Sequence, residues 1–136
     1  MALDAWDIYE RLSTLDSDSL SDAQRDLVSV CDLRQEVNSG GFDVYFCAWG
    51  GNSSPIAIHA LPLLISPEWG ALLLEAVRLF GDPYPSGPDE RFDYIEAHGL
   101  SQALGELDTR FYALESATDA DGLLNAHVNA HPAAWA

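Results

Sequence analysis

Glu36-Val37-Asn38-Ser39-Gly40-Gly41-Phe42-Asp43-Val44-Tyr45-Phe46 is the stretch whose reading decides the fold. Before it, Leu27, Val30, Cys31, Arg34 and Val37 recur at helical spacing. Asn38, Ser39, Gly40 and Gly41 then interrupt the pattern with residues that tolerate positive φ, so a helix is expected to stop there. Phe42, Tyr45, Phe46 and Trp49 resume it at steps of three and four, which predicts a second helix with four aromatics on its core face.

The same logic extends in both directions. Leu3, Trp6, Tyr9 or Ile8, Leu12 and Leu15 describe an amphipathic helix over about residues 2–15. Ser21 followed by Gln24 is a capping box, so the second helix should run from about Asp22 to Asn38. Ser54-Pro55 and Ser66-Pro67 each read as a cap and a first helical position, with a turn over Gly50 to Ser53 before the first of them. Pro62 should end or kink the helix that Ser54 opens. Leu72, Ala76, Val77 and Phe80 share a helix ending at Gly81, and Pro83, Pro85, Gly87 and Pro88 make the next segment an irregular exposed loop. Phe92 and Ile95 lie on a short helix closed by Gly99. Ser101 opens one carrying Leu104, Leu107, Phe111 and Leu114, and Thr118 or Asp119 caps a last one stopped by Pro132. No segment alternates like a strand. The expectation is an all-α, single compact domain over residues 1–136, of seven or eight helices with little or no sheet.

Charge is the unusual property. Twenty-two acids face six bases, a net of −16, and all six bases are arginine. Nucleic acid and anionic membrane are therefore poor direct partners. Nothing near Met1 resembles a signal peptide, and the apolar run Ile56 to Ile65 is too short to span a bilayer, so a cytoplasmic location is expected. Cys31 and Cys47 lack CxxC spacing and fall in apolar helical patterns, as reduced core thiols do.

The string Glu36, Asn38, Gly40, Gly41, Phe42, Tyr45, Phe46 resembles the E-x-N-N-G-G-F-x-x-Y/F-F core of a small acidic bacterial DNA-mimic protein family. Further likenesses are the apolar run Ala57 to Leu61, the helix from Leu72 to Gly81, and Leu107, Asp108, Arg110, Phe111 and Tyr112. The resemblance covers about residues 20–132, with departures at Ser39, Trp49 and His127. It implies an all-helical protein whose carboxylates stand in for DNA phosphates before a basic DNA-binding protein, such as a transcription factor or a nucleoid protein. No catalytic residue, cofactor or metal is implied.

Two groups of acids are the candidate phosphate substitutes. Asp16, Asp18, Asp22 and Asp26 run through a serine-rich connector into the second helix, while Asp89, Glu90, Asp93 and Glu96 lie on a later one. Four arginines have helical acid neighbours: Asp7 with Arg11, Asp22 with Arg25, Glu75 with Arg78 and Glu106 with Arg110. Arg34 and Arg91 have none and are expected to make tertiary contacts. Evenly spread, the net charge would occupy about 440 Å² each on a surface of about 7,000 Å², against about 110 Å² per charge on duplex DNA. Mimicry therefore needs the two groups gathered on one face, or a homodimer that extends it.

Other readings of the same residues are an immunity or antitoxin protein that blocks a basic toxin enzyme, or a generally acidic domain of unrelated function. His127 and His131 are four apart, a zinc-helix spacing without the glutamate of a metalloprotease, and read as a solvated or partly packed pair. His59 reads as a hydrogen-bonded core residue, and Trp49 and Trp69 as core. Ala133 to Ala136 form an apolar tail, either disordered or docked through Trp135 on its own or a partner chain.

Overall fold

The computed structural model describes residues 2–135. Seven α-helices and three short 3₁₀ turns occupy them, with no strand among the described residues: α1 (Ala5–Leu12), α2 (Asp22–Phe46), α3 (Ser54–Leu64), α4 (Pro67–Arg78), α5 (Pro88–His98), α6 (Ser101–Ala117) and α7 (Ala120–Ala130). The all-α expectation holds. Although α2 is long, no described helix is both long and apolar enough to cross a membrane.

α2 is the axis of the fold. Ser21 accepts from the backbone of Gln24 while the Gln24 side chain accepts from Ser21 N, so the predicted capping box is formed. The expected stop after Asn38 is displaced. Helical geometry persists to Gly40, breaks at Gly41 (φ 84°, ψ −179°) and resumes at once through Phe46. That conformation is nearly glycine-only.

What lets the chain resume is Asp108 of α6, which accepts the Phe42 N–H at 2.7 Å, as a capping carboxylate would. Phe42 then stacks on Phe46 and meets Phe111 edge to face, both at 5.9 Å. Phe46 continues to Phe80 at 4.8 Å, and Phe111 to Trp69 at 5.2 Å. These rings are at most 2% exposed, and each contributes roughly 1.5–3 kcal/mol by leaving water. Tyr112 donates to Val37 O at 3.0 Å, and Glu115 holds Arg34 and Asn38. The two parts of the sequence motif are thus the two sides of one packing contact, between α2 and α6.

Several expectations need correction. α1 is shorter than residues 2–15, because Asp4 takes the cap with bonds from Trp6 N and Asp7 N, and the Ser13 and Thr14 hydroxyls turn back to the carbonyls of Glu10 and Arg11. Trp49, expected in the core, is 78% exposed, since the helix ends at Phe46 and a 3₁₀ turn (Trp49–Ser53) rotates its ring outward. Ser53 rather than Ser54 precedes α3. Ser54 is buried instead, bonded to Gly51 O at 3.0 Å and to the Tyr45 hydroxyl at 2.9 Å. Pro62 does not end its helix, which runs on to Leu64. Gly70 of α4 lies against the Pro62 ring and the Ile58 carbonyl, so the missing hydrogen bond falls at a close helix crossing. His59 is exposed, not a core residue. Asp119 caps α7, accepting from Gly122 N at 3.0 Å.

Beyond α7 the chain folds back in a 3₁₀ turn (Pro132–Trp135). Trp135 is 3% exposed, its ring beside His127, and its carbonyl accepts from Arg11. The tail is therefore docked on its own chain through Trp135; Ala136 lies outside the described residues. Cys31 is fully buried, and burial pushes its thiol up to about 12, which keeps it protonated; Cys47 is half-buried.

Candidate acidic interface

The surface charge is decided by where the arginines go. Of the four helical acid–arginine pairs expected from spacing, Asp22–Arg25 forms, at a loose 3.6 Å. Arg25 points mainly at the carbonyls of Ser17 and Asp18, 3.0 and 3.3 Å away, and so ties the acidic connector to α2. Arg11 reaches the Trp135 carbonyl instead of Asp7. Glu75 pairs across helices with Arg110 at 2.8 Å, not along its own helix with Arg78. Local pairs are worth only a few tenths of a kcal/mol, so a better tertiary acceptor displaces them.

Arg34 and Arg91 make the tertiary contacts expected of them. Arg34 forks onto both oxygens of Glu115 at 2.9 Å and onto Asp121 at 2.8 Å, with its guanidinium 5.4 Å from the Trp6 ring. Asp121 is consequently held below the usual carboxylate range. Arg91 is fully buried and meets no carboxylate among the described residues. It donates to the carbonyls of Phe46 (2.7 Å), Ala48 (3.2 Å) and Pro85 (3.0 Å) and to Asn52 Oδ1 (2.6 Å), beside the Tyr84 ring. Those carbonyls include the C-terminal end of α2, where the helix dipole favours a cation. Arg91 thereby fastens α5 to that end of α2.

Asp16 is exposed and caps a 3₁₀ turn (Ser17–Ser19). Asp18 is exposed, and the Asp22 carboxylate is fully so. Asp26 is half-buried one turn further on, and burial, then the Asp22 charge, push its carboxyl up against a smaller opposing effect of His127. Asp89, Glu90, Asp93 and Glu96 are all exposed on α5, the first two in its opening turn. No arginine lies within ion-pairing distance of any α5 acid among the described residues.

The two groups are anchored at opposite ends of α2, the first at its opening turn and the second through Arg91 at its closing carbonyls. Asp22 to Gly40 rises about 27 Å, the length of roughly eight phosphates along one DNA strand. Between them lie carboxylates that sequence reasoning did not propose for binding. Asp32 and Glu36 line a groove along α2, and Asp43 beyond the break faces both Glu96 and Asp108. Burial is the first cause that pushes Asp32, Asp43 and Asp108 up, and neighbouring acids add to it at Asp32 and Asp43. Spacing carried no signal for Asp43, because its neighbours come from α5 and α6. Glu36, Asn38, Gly40, Gly41, Phe42, Tyr45 and Phe46 divide in use: Asn38, Gly41, Phe42, Tyr45 and Phe46 build the α2 contacts, Gly40 is exposed and leaves room for the Val44 side chain, and Glu36 opens onto the groove.

The histidines remain apart from this. His127 is half-buried against Trp135 and pushed down by burial and by His131. Among the described residues no three His, Cys, Asp or Glu side chains are grouped to hold a metal ion.

A small all-helical protein in which five of six arginines bond within its own fold and most carboxylates face solvent belongs to the class of acidic proteins that present negative charge. The chain belongs to the DMP19-like protein family, whose profile matches residues 18–131, and this is the DNA-mimic family that the Glu36–Phe46 motif resembles. No curated protein and no solved structure matches it.

Proposed function

We propose that this protein acts by binding, without catalysis, and occupies the DNA-binding surface of a basic partner such as a transcription factor or nucleoid protein. The observation that supports this most is the segregation of charge. Arg11, Arg25, Arg34, Arg91 and Arg110 bond to carbonyls or carboxylates of the protein itself, while Asp89, Glu90, Asp93 and Glu96 stand in solvent without a cation. The Asp16, Asp18, Asp22 and Asp26 group offers a second point of attachment at the opening turn of α2, the end opposite the carbonyls that hold Arg91.

Density sets the form that mimicry takes. The surface is 7249 Å², so sixteen net charges have about 450 Å² each, roughly fourfold more than on DNA. Along α2 itself, Asp22, Asp26, Asp32 and Glu36 follow at about 6 to 9 Å of helix axis, against 3.4 Å per phosphate on one strand. The partner is therefore met by two separated acidic patches that match a few basic contacts, not by a continuous imitation of a duplex.

Competition is the test. Labelled DNA bound to a panel of basic repressors and nucleoid proteins at low salt should be displaced by this protein. Displacement should weaken steeply as salt rises, because charged encounter is screened over about 10 Å at 0.1 M. Replacing Asp89 and Asp93 by Asn and Glu96 by Gln should reduce it at least tenfold with the fold intact by circular dichroism. If no partner yields its DNA, the reading is wrong.

A further inference from the structure

Beside the acidic patches runs a groove of about 460 Å³, a volume suited to a few side chains of a partner. Its floor is one face of α2, carrying Arg25, Val28, Asp32 and Glu36, over about 16 Å of helix axis. One wall is the chain leaving α1, with Leu15 at its lip; the other is the 3₁₀ turn after α2, with Trp49. Leu15 is 52% and Trp49 78% exposed, so both lips present large apolar surface to water. Exposed apolar surface gathered at a groove marks an interaction site more often than the same residues scattered singly.

The floor carries two carboxylates, Asp32 and Glu36, and one guanidinium. Arg25 is the cation in the lining, and it is bonded to Ser17 O and Asp18 O. Asp32 has one carboxylate oxygen bonded to the Tyr9 hydroxyl, and no arginine lies within ion-pairing distance of Asp32 or Glu36 among the described residues. Burial and the Glu36 charge both push Asp32 up, as expected for a carboxylate that lacks a cation. A guanidinium entering here would meet carboxylates below and the Trp49 ring beside it, the combination that holds arginine best.

We propose that this groove receives a basic amphipathic helix of a partner protein, with its apolar face between Leu15 and Trp49 and its arginines over Asp32 and Glu36. The groove's length fits about three helical turns, and an elongated apolar trough with acids along its floor is the complement of such a helix. The proposal goes beyond phosphate mimicry and stands without it, since it uses neither α5 nor the carboxylates of Asp16, Asp18 and Asp22, although Ser17 and Leu20 of that connector line the groove.

The experiment uses the full chain and three fluorescent peptides of about 18 residues: an amphipathic helix of Leu and Arg, a scramble of it, and the same helix with Glu for Arg. At physiological salt the amphipathic basic helix should bind at least tenfold more tightly than the scramble, and the acidic version should not bind. Trp49→Ala and Glu36→Gln should each weaken the first peptide about tenfold and leave the scramble unchanged, whereas Asp89→Asn with Asp93→Asn should change it less than twofold. Trp49 is exposed, so its variant folds, and circular dichroism checks this. Equal binding of both basic peptides, or full affinity in Trp49→Ala, overturns the proposal. So does sedimentation showing a dimer that Trp49→Ala dissolves, which would make a second copy the occupant. Retained peptide binding with no DNA displacement would remove the mimic reading alone.

Discussion

Asp108 sits on α6, 66 residues along the chain from Phe42, yet its carboxylate caps the Phe42 N–H at 2.7 Å beside Gly41, the residue of α2 whose backbone leaves helical geometry. That bond turns a glycine break into a bend. A β-carbon at Gly41 would run into the Asp108 carboxylate as well as straining φ. Gly41→Ala should therefore destabilise by at least about 1–3 kcal/mol from the backbone alone. Asp108→Ala should cost about 1–3 kcal/mol by leaving a half-buried donor unpaired. Because the collision disappears in the double variant, its loss should be smaller than the sum. Additive urea midpoints would show that the two residues do not share one contact.

Arg91 is the second structural hinge. Removing a buried guanidinium strands the carbonyls of Phe46, Ala48 and Pro85 together with Asn52 Oδ1. Arg91→Ala should lower stability by more than about 3 kcal/mol, and Arg91→Lys should recover only part, since an ammonium cannot reach acceptors arranged for a planar fork. Thermal and urea unfolding check this; a neutral Arg91→Ala would mean α5 is held elsewhere.

Acid should stabilise this protein before it unfolds it. Asp26, Asp32, Asp43 and Asp108 titrate above the usual carboxylate value of 3.8 when folded, each chiefly because of burial. Folding therefore binds protons at these sites, and their penalty is fully present above the folded values and fades as pH falls through them towards 3.8. Asp121 and Glu75 are shifted down by their arginines, so their contribution is kept above the unfolded carboxylate values and lost as pH falls through the lowered ones. Urea midpoints should rise as pH falls from neutrality through the raised folded values, and fall once pH passes below the usual carboxylate value through the lowered ones. A steady decline from neutrality would mean that folding does not raise these four carboxyls.

Uncompensated acids should also respond to neutralisation one at a time. Asp43 faces Asp108 and Glu96 with no cation, so Asp43→Asn should stabilise by a few tenths to about 1 kcal/mol, and added salt should shrink the gain. Chemical denaturation at low and high salt measures it.

Docking of the C-terminal turn can be tested in the same way. Trp135 is 3% exposed, and its carbonyl takes a bond from Arg11 while Ala134 O takes one from Gln24. Trp135→Ala should cost about 3–5 kcal/mol. The loss should be independent of protein concentration, since the ring is buried in its own chain; a concentration-dependent loss would place it in an interface.

By itself the sequence determined the helices, because capping boxes, Ser-Pro starts, glycine stops and apolar periodicity are local and act within a turn or two. Ser21 with Gln24, Gly99 after α5 and the stripes on α2 and α6 were legible for that reason. The placement of charge was not. Arg11 and Arg110 pass over near neighbours for acceptors 124 and 35 residues away, Arg91 reaches an acceptor 45 residues away, and Asp43 acquires its acidic company from two other helices. Trp49 turned outward because α2 ends at Phe46 and a 3₁₀ turn takes over from Trp49. Charge and exposed aromatic surface act through space over several ångströms, so only tertiary structure decides which acids stay unpaired and where a groove opens.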